Sequence, residues 1–176
     1  MVRSFEVGIK PSHPQNSKSM DILSHLKAHL TGKVVILGIG NTLRNDDGIG
    51  SLLVQRLKNK VPYIVYDSGP SPENYLGKII KDKPDNIVII DAVDFAGRPG
   101  EFRILEGNDI ETINFFSTHD ASISLAINYL QREIAVDIIV LGIQPKNLDF
   151  GEILSPEAQE TLDKLEQWFN GAKEKG

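Results

Sequence analysis

Residues 34–50 read VVILGIGNTLRNDDGIG, and this stretch decides how the rest of the chain is read. Val34 to Leu37 is a continuous apolar run, which suits a strand covered on both faces rather than one with a solvent side. A glycine-rich turn and two aspartates follow, and then Ile49 to Leu57 shows helical spacing. Strand, loop and helix in that order open a βαβ unit, because parallel strands must be joined by a crossover.

The alternation continues down the chain. Tyr63 to Tyr66 reads as a second strand, Glu73 to Lys81 as a helix and Ile87 to Ile90 as a third strand. After the turn Gly97-Arg98-Pro99-Gly100, the short run Glu101 to Leu105 is placed to return antiparallel at an edge. A helix over Ala121–Gln131, a strand over Val136–Leu141 and a helix over Pro156–Phe169 complete the pattern. The predicted fold is α/β: a three-layer sandwich whose mostly parallel twisted sheet of about five strands is flanked by helices.

Ahead of that unit, residues 1–18 are polar, carry Pro11 and Pro14, and read as a loose or peripheral arm. Ile22, Leu23, Leu26 and Leu30 fall at helical spacing before the stop Thr31-Gly32, which predicts a short helix over Met20–Leu30 on the outside of the domain. The expected division is an N-terminal arm and short helix over residues 1–32 and one domain over 33–176.

At 176 residues the chain is long enough for one domain with a substantial core. Its 40% hydrophobic and 24% charged residues are those of an ordinary globular protein. No apolar run approaches the roughly 20 residues of a bilayer span, and the first residues lack the pattern of a secretory signal, so a cytoplasmic protein is expected. There is no cysteine, which excludes disulfides, thiolate metal sites and a cysteine nucleophile; any metal must sit on His, Asp and Glu. The net charge of −5, with Lys and Arg scattered, argues against nucleic acid.

In open α/β sheets ligands bind beyond the carboxyl ends of the strands, so polar residues just after strands are the first candidates. The first strand offers Asn41, Asp46 and Asp47, the second Asp67 and the third Asp91. The last strand ends in Gly142-Ile143-Gln144-Pro145, and His119 starts the helix after the fourth. Each has a plainer alternative: Asp46 or Asp47 as cap of the helix near Gly48, His119 as a helix-start residue satisfied by a carbonyl. Asp91 is harder to dismiss, because a carboxylate ending a buried strand needs a partner. Two carboxylates and one imidazole on one sheet edge make an N/O site that suits Ni²⁺ or Zn²⁺.

Competing chemistries fail on the residues. Gly38-Ile39-Gly40 opens like a dinucleotide fingerprint, but Leu43 stands at the third glycine position and no P-loop lysine follows. Gly69-Pro70-Ser71-Pro72-Glu73 lacks the last glycine of a nucleophile elbow. His13, His25 and His29 lie in the arm or its helix, where solvated or partly packed roles are expected.

GIGNTLRNDDGIG (38–50), DSGPSPENY (67–75), IVIIDAVDFAGRPGE (87–101), STH (117–119) and GIQP (142–145), in that order, resemble the hydrogenase maturation endopeptidases. The resemblance runs from about Val34 to the final helix and is nearest to the branch serving formate-hydrogenlyase, or hydrogenase 3, enzymes. It implies an endopeptidase that removes the C-terminal extension of a nickel-loaded [NiFe]-hydrogenase large-subunit precursor. Asp47, Asp91 and His119 would be the catalytic set and the nickel contacts. The nickel would arrive with the substrate, and no cofactor-binding residues are implied. Some relatives carry Glu where Asp47 stands. Two roles stay open for the ion, acting on the scissile carbonyl or a water, or serving only as a signal while Asp47 or Asp46 acts as general base. Two other classes stay open as well: a non-catalytic checkpoint that binds the precursor, and a small-molecule metallohydrolase.

Overall fold

The computed structural model describes residues 14–106 and 120–172. Five strands form one sheet: β1 (Val34–Gly38), β2 (Ile64–Asp67), β3 (Asn86–Ala92), β4 (Phe102–Leu105) and β5 (Asp137–Ile143). Their spatial order is β2-β1-β3-β5-β4, parallel throughout except for β4, which runs antiparallel to β5. The predicted α/β sandwich and the edge return of the EFRIL run are both present.

The strands are apolar on both faces because both faces are covered. Val34, Ile36, Val88, Ile90, Ile139 and Leu141 point into one core, and Val35, Leu37, Ile87, Ile89, Ile138 and Val140 into the other, with the period of two that a pleated strand imposes. Helices α1 (Pro14–Ala28), α2 (Ile49–Leu57) and α5 (Pro156–Ala172) close the first core; α3 (Leu76–Asp82) and α4 (Asp120–Glu133) close the second. Among the described residues no helix is long and apolar enough to cross a membrane.

Two helices differ from the expected ones. α1 begins at Pro14 rather than Met20 and ends at Ala28 rather than Leu30. Its first turns are polar and carry no stripe, while proline is compatible with a first helical turn. Leu26 is fully buried with β1 and α2, so α1 is packed into the core as well as lying outside the sheet. The segment read as one helix from Glu73 is a 3₁₀ turn, Pro72–Tyr75, followed by α3. Pro72 opens that turn, where its missing N–H costs no hydrogen bond.

β1 has β2 on one side and β3 on the other, so the chain leaves β1 and β3 in opposite directions. That divergence opens a crevice at their carboxyl ends, the place where open α/β sheets take ligands.

Candidate functional site

The crevice is held narrow by glycine. A Cβ on Gly50 would lie 2.2 Å from the Ile90 carbonyl oxygen and 2.3 Å from that of Ile39, so α2 can start against the ends of β1 and β3 only with hydrogen there. The Ile39 N–H donates to the Ile90 carbonyl at 2.9 Å and carries the pairing of the two strands one step beyond β1. Gly40, at φ 148°, turns the chain back over the 3₁₀ turn Asn45–Gly48, where a Cβ would meet the Asp47 carbonyl at 2.0 Å. The Ser51 hydroxyl donates to the Gly40 carbonyl at 3.0 Å and fastens this loop to α2.

Asp47 therefore sits at the head of α2 and is 1% exposed; its Oδ2 accepts the Asn41 N–H at 3.2 Å. Asp91, fully buried, lies one residue past Ile90 in β3 and pairs with Gly142 of β5. By strand alternation it shares the face of Ile87 and Ile89, the one covered by α3 and α4. The 3₁₀ turn bearing Asp47 packs against β3. One buried carboxylate at the head of α2 thus stands in a turn packed against the strand that carries the other. His119 lies outside the described residues and directly precedes α4, which packs beside the Pro72–Tyr75 turn.

The other candidates have structural partners. Asn41 Oδ1 accepts the Leu43 N–H at 3.0 Å, an Asx turn that shapes the loop. Asp67 accepts from the Gly69 N–H at 3.0 Å and from Gln55 Nε2 at 2.7 Å, so it closes its own loop onto α2.

Neither Asp46 nor Asp47 caps the helix near Gly48: Gly48 is itself the N-cap of α2, and no side chain bonds there. Asp46 is fully buried and reaches across the molecule instead. Its carboxylate accepts from the amides of Lys146, Asn147 and Ser155 and from the Ser155 hydroxyl, at 2.7 to 3.1 Å. Ser155 in turn accepts the Ala158 N–H at 3.3 Å and caps α5.

Gln144, to which the sequence assigns no role, organises the loop after β3. Its Oε1 accepts from the Phe95 and Gly97 amides, both at 3.0 Å, and its Nε2 donates to Asp94 Oδ1 at 3.0 Å. The Ala96 amide and then Gln144 hold the Asp94 carboxyl below the usual aspartate range, against a smaller opposing effect of burial. A glutamine just past a buried strand was the signal: its amide can satisfy both donors and acceptors of a facing loop.

The β5–α5 connection also forms one rim of the crevice. Gly151 N–H donates to the Leu43 carbonyl at 2.9 Å, and Asn45 N–H to the Gly151 carbonyl at 2.8 Å. Leu43, Phe150 and Ile153 are exposed along it, an apolar edge joined through Asn45 to the turn that carries Asp47.

A family described as hydrogenase maturation protease matches residues 48–170. The hydrogenase 3 maturation protease of Escherichia coli K12 is 32% identical over 139 residues, 78% of this chain and 88% of that protein. The crystal structure of a [NiFe] hydrogenase maturation protease HycI from Thermococcus kodakarensis superposes with a TM-score of 0.75 at 33% identity, covering 84% of this chain and 97% of that one. The solution structure of the endopeptidase HycI from Escherichia coli gives a TM-score of 0.71 at 30% identity, covering 79% and 90%.

Proposed function

Because this chain belongs to the hydrogenase maturation protease family, we propose that it cuts the C-terminal extension from a [NiFe]-hydrogenase large-subunit precursor whose nickel is already in place. The observation that carries the proposal is the burial of Asp47, at the head of α2, and of Asp91, near the end of β3, the strand against which the turn bearing Asp47 packs. With His119 before α4, they give two oxygen donors and one nitrogen donor, a set that suits Ni²⁺.

The nickel belongs to the substrate. A precursor that carries it presents a cation with open positions to Asp47, Asp91 and His119, and that contact fixes the cleavable bond in the crevice. A precursor without nickel cannot make that contact, so its cleavable bond is not fixed in the crevice. Recognition of the metal and positioning for cleavage are one event. Asp47 is also the carboxylate we assign to take a proton from the attacking water. The exposed rim of Leu43, Phe150 and Ile153 gives the precursor an apolar surface next to the cut. We assign this work to residues 33–176, with residues 1–32 as an addition to the domain, and place it in the cytoplasm.

The experiment incubates the protein with precursor prepared with and without nickel and weighs the large subunit by mass spectrometry. Shortening of the nickel-loaded form alone is expected, with none by His119→Gln. Binding without shortening identifies a checkpoint module instead, and cleavage of both forms removes nickel from the recognition step.

A further inference from the structure

At the amino edge of the sheet, away from Asp47 and Asp91, a second group of ligand-type side chains converges. His25 and His29 stand one turn apart on α1 and so share a face, with ring centroids 5.2 Å apart. Glu106 directly follows β4. His25 Nε2 lies 3.0 Å and His29 Nε2 3.5 Å from Glu106 Oε1, and His29 Nε2 is also 3.2 Å from Asp137 Oδ2 at the start of β5. Ligand atoms of His25, His29 and Glu106 all fall within 4.8 Å of one another.

We propose that His25, His29 and Glu106 bind a divalent transition-metal ion of the Zn²⁺ or Ni²⁺ type, with Asp137 as a further oxygen donor at its side. Three features favour an ion over a plain His–Glu pair. First, His29 Nδ1 lies 3.2 Å from the His25 carbonyl, so Nδ1 carries the proton as donor to that oxygen. In the neutral ring the Nε2 lone pair then faces two carboxylates, and a carbonyl holding the far nitrogen is the arrangement that orients metal-bound histidines. Second, Glu106 Oε1 is shut off from solvent and, among the described residues, accepts no well-aligned hydrogen bond, although the two ring nitrogens lie 3.0 and 3.5 Å away. A shielded carboxylate oxygen is costly unless something balances it, and a cation between the three groups does so. Third, the separations of 3.0 and 3.5 Å bracket the edge of about 3.4 Å expected for a tetrahedron with bonds of about 2.1 Å.

An ion here would tie α1 to the ends of β4 and β5. It would be independent of the crevice, since Asp91 pairs with Gly142, five residues along β5 from Asp137 and thus about 17 Å away.

The test uses the full-length protein stripped of metal and titrated by calorimetry with Zn²⁺ alone and Ni²⁺ alone. One ion should bind per chain and raise the thermal midpoint in Asp47→Asn/Asp91→Asn, the background that removes the crevice carboxylates as competing donors. In His25→Ala/His29→Ala the affinity should fall more than about a hundredfold, since changes beyond the ligands themselves already cost 10- to 100-fold. Glu106→Gln, which preserves shape, should weaken binding with an unaltered circular dichroism spectrum. Absence of stoichiometric binding in Asp47→Asn/Asp91→Asn, or undiminished binding when the double histidine change is added to that background, would each overturn the site.

Discussion

Asp46 and Ser155, 109 residues apart, are joined twice: the Ser155 amide donates to Asp46 Oδ1 at 2.7 Å and its hydroxyl to Oδ2 at 2.8 Å. With the Lys146 and Asn147 amides added, a buried carboxylate is met by four donors, which binds the turn before α2 to the connection before α5. Asp46→Asn sets an NH₂ group against those donors and removes the charge. Stability should fall by roughly 2 to 4 kcal/mol, on the scale of buried hydrogen bonds to charged groups, read as a lower urea midpoint. Processing per folded molecule should suffer less than in Asp47→Asn. A variant as stable as the wild type would mean that the loop holds itself.

Asp91→Asn keeps the shape of a fully buried side chain and takes away its charge. Conversion of nickel-loaded precursor should drop by more than about a hundredfold, the scale already reached when groups beyond the ligands are changed. The thermal midpoint should stay close to that of the wild type. Cleavage at the wild-type rate would reduce Asp91 to a structural part of β3.

The sheet was legible because VVIL, IVII and DIIVL are apolar on both faces, a pattern that little else produces. Asp91 stood out for the same reason, as a charge at the end of such a run. Asp46 could not be read: its partners Lys146, Asn147 and Ser155 are at least 100 residues away, and beside a helix start an aspartate looks like a cap. Gln144 was hidden likewise, since its loop lies about 50 residues back. The early start of α1 escaped because polar turns show no apolar period.

Gln144→Leu should lower stability by roughly 2 to 4 kcal/mol at neutral pH, since the Phe95 and Gly97 amides lose their acceptor. The loss should depend on pH through Asp94. Its folded pKa is depressed, so its contribution is present above the ordinary aspartate value of about 3.9 and is lost as pH falls through the lower folded value. Gln144 is one of the two groups that depress it. The gap between variant and wild type should therefore narrow below about pH 4, and urea midpoints across that range measure it. A constant gap would separate Asp94 from the effect.

Phe150 is 88% exposed on the connection whose next residue, Gly151, bonds to Leu43, and nothing in the fold requires a phenyl ring there. If the rim receives the precursor, Phe150→Ser removes contact that is made equally before and during cleavage. Such uniform binding changes KM and leaves kcat alone. Covering part of a phenyl ring is worth about 1 to 2 kcal/mol, so KM for nickel-loaded precursor should rise roughly tenfold. The thermal midpoint should hold, because an exposed substitution away from caps and cores usually changes stability by less than about 0.5 kcal/mol. An unchanged KM would place the docking surface elsewhere, and a fall in kcat at constant KM would mean that this connection positions Asp46 and the turn before α2 rather than the substrate.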